Sequence, residues 1–306
     1  MKWQMKCLVD SLKAILPFQA QMRKFKDSIS PYQPVVSDND HTISQGIRQV
    51  QWVREVVNLA DSTVLEIGSG WEPLIPMIYS LAGASKIVLT DLNVLLRPGT
   101  FAAAVDCLRP HQDKLCKELG LNPREVERVL RHDPTASMEQ RLEEMRMVYM
   151  APCDCRHLAL PSDSIDVVTS RACLEHVPPD VIQDIFHESY RLLRAGGVSC
   201  HVVDHSDHWE HNDKSISRVN FLKFSDSVWR WTHINPLNYM NRLRHPEYVE
   251  MLDKAGFRLV KETHRVDEAS VRSLSKLKVA KKFDRFTPEE LASLDSWLLA
   301  MKSPAS

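Results

Sequence analysis

The stretch VLEIGSGWEP, Val64 to Pro73, limits the fold more than any other part of this chain. An apolar run ends in a turn carrying Gly68 and Gly70, and Pro73 stands where a helix should begin. Glycines there allow a tight turn and close approach of a ligand to the backbone. A second apolar run, KIVLT from Lys86, closes on Asp91. Strand, glycine turn, helix and strand make a nucleotide-binding βαβ unit, with the acid about 20 residues beyond the glycines, where a carboxylate meets a ribose. The dinucleotide fingerprint wants a third glycine three positions past Gly70, for close helix–strand packing. That position is Pro73, so a pyrophosphate ligand is disfavoured.

The alternation continues along the chain. A helix over 41–57 is expected before strand one, with Ile43, Ile47, Val50 and Val53 on one face. Strands are expected near 147, at 165–170 (IDVVTS), from Val198 to Asp204 and at 257–263, with helices at 178–194 and 246–255. The charged stretch between strands two and three is too long for a plain loop and reads as a helical insertion over about 97–146. This is an α/β chain: a Rossmann-like, doubly wound, mostly parallel sheet with helices on both faces, plus helical insertions. The expected division is an N-terminal helical region (1–58), a nucleoside-binding domain (59–265) with an acceptor cap at about 205–245, and a C-terminal helical tail (266–306).

Composition excludes several classes. A net charge of −1 gives no electrostatic footprint for a nucleic-acid partner. Seven cysteines without a repeating spacing do not form a secreted disulfide framework. No apolar run reaches the length of about 18 residues needed to span a bilayer, so a cytoplasmic protein is expected. Residues 1–30 read as a basic amphipathic helix that packs on the domain, with weak contact to an anionic membrane surface as the alternative. Oligomeric state is not legible.

In such sheets ligands bind at the carboxyl ends of the strands. Glu66, Gly68, Gly70, Asp91, Leu92, Asp154, Cys155 and Arg171 all fall there. With these residues in view, VLEIGSG, VLTD, CDC, SIDVVTSRACLEHV and LLRAGGV together resemble the class I S-adenosylmethionine-dependent methyltransferases over roughly residues 60–265. The family's third glycine is Glu72 here. The resemblance implies S-adenosylmethionine as cofactor and S-adenosylhomocysteine as product. It assigns Glu66, Gly68 and Gly70 to the methionine part, Asp91 to the ribose, and Asp154 with Cys155 to the adenine. Leu92 and Arg171 complete the cofactor set.

A small-molecule acceptor would sit over the ends of strands four and five. A hydroxyl acceptor needs a base, and His208 with Asp204 or Asp207 as orienting partner is the candidate, with His176 beside the methionine pocket. His205, His208 and His211 follow HxxHxxH, which is not a common zinc spacing, and Ser206 and Asn212 favour a loop, so no metal is expected. HNDKSISRVNFLKFS and MNRLRHPEYVEMLDKAGF also resemble a bacterial methyltransferase subgroup often accompanying polysaccharide or secondary-metabolite biosynthesis. That resemblance turns Asn220, Asn241, Arg242 and Arg244 toward the acceptor and implies O-methylation of a sugar or metabolite; His205, just after strand five, is a further candidate to bind the acceptor. Arginines equally suit a carboxylate, so methyl esterification of a hydroxy fatty acid is the alternative. Two further readings are a nicotinamide-dependent oxidoreductase and a non-catalytic binding protein.

Overall fold

A computed structural model of the chain describes residues 2–5, 40–131, 135–232 and 239–303. The expected basic helix over 1–30 lies almost wholly outside these. Among the described residues no helix is long and apolar enough to cross a membrane.

Helix α1 (Asp40–Arg54) leads, and buries Ile43, Ile47, Val50 and Val53 at helical spacing. Strand β1 (Thr63–Ile67), helix α2 (Leu74–Leu81) and strand β2 (Lys86–Thr90) then form the expected βαβ unit. A Cβ on Gly46 would lie 2.6 Å from Ile78 Cδ1, so glycine lets α1 and α2 approach closely. The insertion holds α3 (Pro98–Leu108), α4 (Gln112–Leu119), α5 (Pro123–Leu130) and α6 (Met138–Glu144). Its Leu108, Leu115, Val126 and Leu130 join the main core with α1 and α2, so the insertion thickens one face of the sheet.

Strand β3 (Met147–Met150), β4 (Ile165–Arg171), helix α7 (Pro179–Leu192) and β5 (Leu193–Asp204) follow. After the cap begins come α8 (Asp226–Thr232), α9 (His245–Lys254) and β6 (Phe257–Val266). The region expected to be a helical tail holds two short helices, α10 (Glu268–Leu274) and α11 (Pro288–Leu291), and then a ten-residue strand, β7 (Ser293–Lys302). Strand β7 is a correction to the sequence reading. Its LDSWLLAM run lacks strict alternation because both faces are covered, which leaves no period-2 signal.

The strand order is β3-β2-β1-β4-β5-β7-β6. β1 to β5 pair in parallel, whereas β7 is antiparallel to both β5 and β6. The dinucleotide-binding order is 3-2-1-4-5-6, without an antiparallel strand slipped in before the last. The strand order reverses between β1 and β4, so the ligand crevice opens over those two strands' carboxyl ends. α7 and α9 cover the face opposite α1 with a second core around Phe186, Ile182, Tyr248 and Leu252. A third core joins the cap (Trp209, Phe221, Trp229) to Phe283, Leu291 and Leu294 from the C-terminal region.

Candidate functional site

Gly68 (φ +71°) and Gly70 (φ +64°) turn the chain out of β1 in the left-handed region that glycine tolerates. The amides of Gly68 and Ser69 both donate to Thr90 O at 2.9 Å, pinning the turn to the end of β2. A Cβ on Gly68 would lie 2.3 Å from Cys173 Sγ, whereas one on Gly70 would meet nothing within 4 Å, leaving its surface free for a ligand. Asp91 accepts from Gly70 N at 3.1 Å and from Asn93 N at 2.8 Å. It therefore shapes the glycine turn while keeping lone pairs for further donors.

Glu66 is 3% exposed, and its Oε2 has no hydrogen-bond partner among the described residues. Burial pushes its carboxyl up to about 8, with the Arg171 charge opposing. Leu92 is exposed at the end of β2. Cys153 N donates to Asp91 O, tying the segment after β3 to this site. Cys155 Sγ lies 3.3 Å from Thr90 Oγ1. Asp154 is partly exposed and grips Arg156, Nη2 to Oδ2 at 2.7 Å, which holds its carboxyl below the usual range. Glu66, Gly68, Gly70, Asp91 and Cys155 thus gather at the carboxyl ends of β1 to β3, with Asp154 at the β3 side.

The other half of the site grows from β4 and β5. Arg171 donates from Nε to Gln45 Oε1 at 2.7 Å. Ala172 takes φ +48°, and a 3₁₀ turn over Leu174–His176 follows. His176 Nδ1 lies 2.9 Å from the Tyr239 carbonyl, and burial lowers its pKa. At the end of β5, Asp204 Oδ1 accepts from Ser206 N at 2.7 Å. Its Oδ2 lies 3.4 Å from His208 Nε2, within ion-pair reach though off line for a hydrogen bond. Burial works against the charged form of both, but their mutual attraction outweighs it. Asp204 is held well below the usual carboxylate range, and His208 is raised above the ordinary imidazole value. Asp207 is not the orienting partner, because it accepts from Trp209 N and Asn220 Nδ2 inside the loop. The rings of His176 and His208 lie 5.1 Å apart, and His211 stacks on His208 at 5.2 Å. A polar cavity of about 260 Å³ opens beside Arg171, Asp204, Ser206 and His211, over the ends of β4, β5 and β7.

The residues expected to face an acceptor are turned inward instead. His205 is 2% exposed and bonds Ser296 Oγ on β7 at 2.5 Å. Asn220 spans Asp207 and Lys223. Asn241 donates to the carbonyls of Leu174 and Val177, bracing the His176 turn from behind. Arg242 pairs with Asp226 at 2.6 Å under Trp229 and Phe283. Arg244 is fully buried and donates to the carbonyls of His205, Leu291 and Ser293. The physical reason is common to all five: the cap has few regular backbone ladders, and these side chains satisfy the carbonyls and polar side chains that it buries.

Glu175 belongs to the site although sequence reasoning gives it no role. It is 1% exposed, and neither of its carboxylate oxygens has a hydrogen-bond partner among the described residues. Its carboxyl is pushed up to about 8, by burial first and by the Asp204 charge. The available signal is an acid just before His176 at the end of a buried strand, where Leu174 and Val177 promise burial.

Residues 114–201 match a family model described as "Methyltransferase domain". Comparison with curated proteins finds no match. Similar solved structures include an S-adenosylmethionine-dependent methyltransferase from Mesorhizobium loti, 14% identical with a TM-score of 0.45, covering 82% of this chain and 97% of that one. Another is a SAM-dependent methyltransferase from Methanosarcina mazei, also 14% identical with a TM-score of 0.43, covering 83% and 98%.

Proposed function

We propose that the chain is a class I S-adenosylmethionine-dependent methyltransferase, a reading supported by the match of residues 114–201 to a methyltransferase domain, and that it moves the methyl group to a hydroxyl oxygen of a small polar molecule. The observation that carries this reading is the Asp204–His208 pair beside His176, at the strand ends next to the glycine turn. S-adenosylmethionine supplies an activated methyl group on a positively charged sulfur. The crevice suits such a ligand, since Glu66 keeps a buried carboxylate oxygen unpaired among the described residues and Gly70 leaves open backbone surface. Glu66, Gly68 and Gly70 would hold its methionine part, Asp91 its ribose, and Asp154 with Cys155 its adenine; Leu92 and Arg171 border the same crevice.

The protein's main task is alignment, because an in-line geometry at near-attack distance carries much of the barrier. A neutral hydroxyl must also lose its proton as the new bond forms. His208 is the group suited to take that proton, and Asp204 stabilises the resulting imidazolium. His176, held by Tyr239, would orient the acceptor. A carboxylate acceptor would need a cationic clamp rather than a base; the buried Arg242 and Arg244 do not supply one, whereas Arg171 and Arg218 line the polar cavity and keep that alternative in view. The antiparallel β7 likewise weighs against a nicotinamide-dependent oxidoreductase, whose sheet order lacks it.

Two variants test the reading. Asp91→Ala is expected to lose S-adenosylmethionine binding by at least about tenfold in calorimetry, since a ribose contact and the Gly70 anchor go together. His208→Ala should keep that binding while S-adenosylhomocysteine release on an alcohol acceptor falls about 10²-fold or more. Normal turnover by His208→Ala on a proven alcohol would remove the residue from this role. Absence of product with every acceptor, despite donor binding, would favour a non-catalytic binding protein.

A further inference from the structure

Glu175 is a buried acid at this site that the methyl-transfer reading leaves without work. Buried carboxylates almost always have partners, and an exception calls for an explanation. Protonation alone would leave Glu175 with an unanswered donor and acceptor in the same dry place. The ligand atoms of Glu175, His176 and His208 all lie within 4.8 Å of one another. The Tyr239 carbonyl engages His176 Nδ1, which leaves the ring's Nε2 lone pair as the outward donor. That is the arrangement by which a second group fixes the tautomer of a metal-binding histidine. His208 Nε2 has no hydrogen-bond partner among the described residues either.

We propose that Glu175, His176 and His208 hold one divalent first-row metal ion of the Zn²⁺ or Mn²⁺ type, with an open coordination position facing the acceptor. Two imidazoles and a carboxylate suit such ions, whereas Ca²⁺ and Mg²⁺ prefer all-oxygen sets. Ligand bonds of about 2.1 Å would draw the three donors together by on the order of an ångström, within reach of side-chain rotation. Asp204 Oδ2, 3.4 Å from His208 Nε2, is a further carboxylate on the same side of that ring.

The proposal rests on the reading above that the acceptor docks at the ends of β4 and β5, and it changes the work of His208 from base to ligand. An acceptor hydroxyl in the open position becomes acidic, as metal-bound water does. Its O–H bond breaks, with the proton passing to a solvent base. An oxygen lone pair then forms the C–O bond, and the C–S pair returns to sulfur as a neutral thioether.

The test uses the full chain, stripped with a chelator and titrated calorimetrically with Zn²⁺ and with Mn²⁺, with S-adenosylmethionine binding measured in parallel. One equivalent per chain is expected, with affinity lowered at least about 100-fold in Glu175→Gln and in His208→Ala. Asp91→Ala should bind the ion normally. Co²⁺ substitution gives a second readout, because its visible bands should change in His176→Gln even if one variant folds poorly. Absence of stoichiometric binding, or unchanged affinity in Glu175→Gln and His208→Ala, would overturn the site. Binding with turnover indifferent to chelator would overturn its catalytic role. Loss of donor binding with the ion still bound would instead count against the methyltransferase assignment of the crevice.

Discussion

His201 sits inside β5 with both ring nitrogens engaged, Nδ1 with Ser170 Oγ at 2.8 Å and Nε2 with Ser199 Oγ at 2.6 Å. Burial lowers its pKa from 6.5 to about 3, so the folded protein keeps it neutral. The unfolded chain takes up a proton below pH 6.5 that the folded chain refuses until about pH 3. Stability from this residue is therefore intact above pH 6.5 and lost as the pH falls toward 3, by about 2 kcal/mol at pH 5. His201→Gln should lower the urea midpoint at pH 7 by more than at pH 5, because the histidine's own contribution is lost over that interval. The residues proposed for the donor site are legible in the sequence because their chemistry is local: Gly68, Gly70 and Asp91 follow strands that announce themselves by hydrophobicity. Asn241, Arg242 and His205 mislead, since a polar side chain does not reveal in sequence whether its partner is a ligand or a buried carbonyl. Glu175 escapes for the opposite reason. Its companion His208 lies on the next strand's loop, while spacing along the chain points to His205 and His211.

Among the elements, β7 has the most to say about cohesion. It pairs along Ser293–Lys302 with its neighbours, and Leu298 and Leu299 are fully buried, one toward each face. Leu298→Ala should cost about 2–5 kcal/mol in chemical denaturation, the range for deleting a buried leucine's methyl groups. Leu274→Ala, on a short helix where the side chain is only partly buried, should cost less. A cost for Leu298→Ala below about 1 kcal/mol would mean that β7 is not the integral strand described above. The helices of the insertion can be anticipated from length and charge pattern. β7 cannot, because a strand covered on both faces loses its alternation, and the charged residues before it mimic a helical tail.

At the scale of the whole molecule, the cap and the C-terminal region share one core, with Trp209, Phe221 and Trp229 packed near Phe283, Leu291 and Leu294. Arg244 links them through carbonyls on both sides. The proposed acceptor side is thus built by segments distant in sequence, which is why the proposed donor half can be read from short motifs and this half cannot. The position of β7 also has a consequence for how the chain comes off the ribosome. β6 is complete at Val266 and pairs only with β7, which begins at Ser293. Until the latest of the seven strands emerges, β6 has no hydrogen-bonded neighbour and β5 lacks one of its two. Exposed edges of that kind invite association with other chains. Ribosome-arrested chains stalled before β7 leaves the exit tunnel should therefore remain protease-sensitive and bind chaperones, with protection arising once it is out. Early protection would mean that the parallel strands mature alone. The order of synthesis and the order of the sheet run against each other here, and the nascent protein must be sheltered for the interval between them.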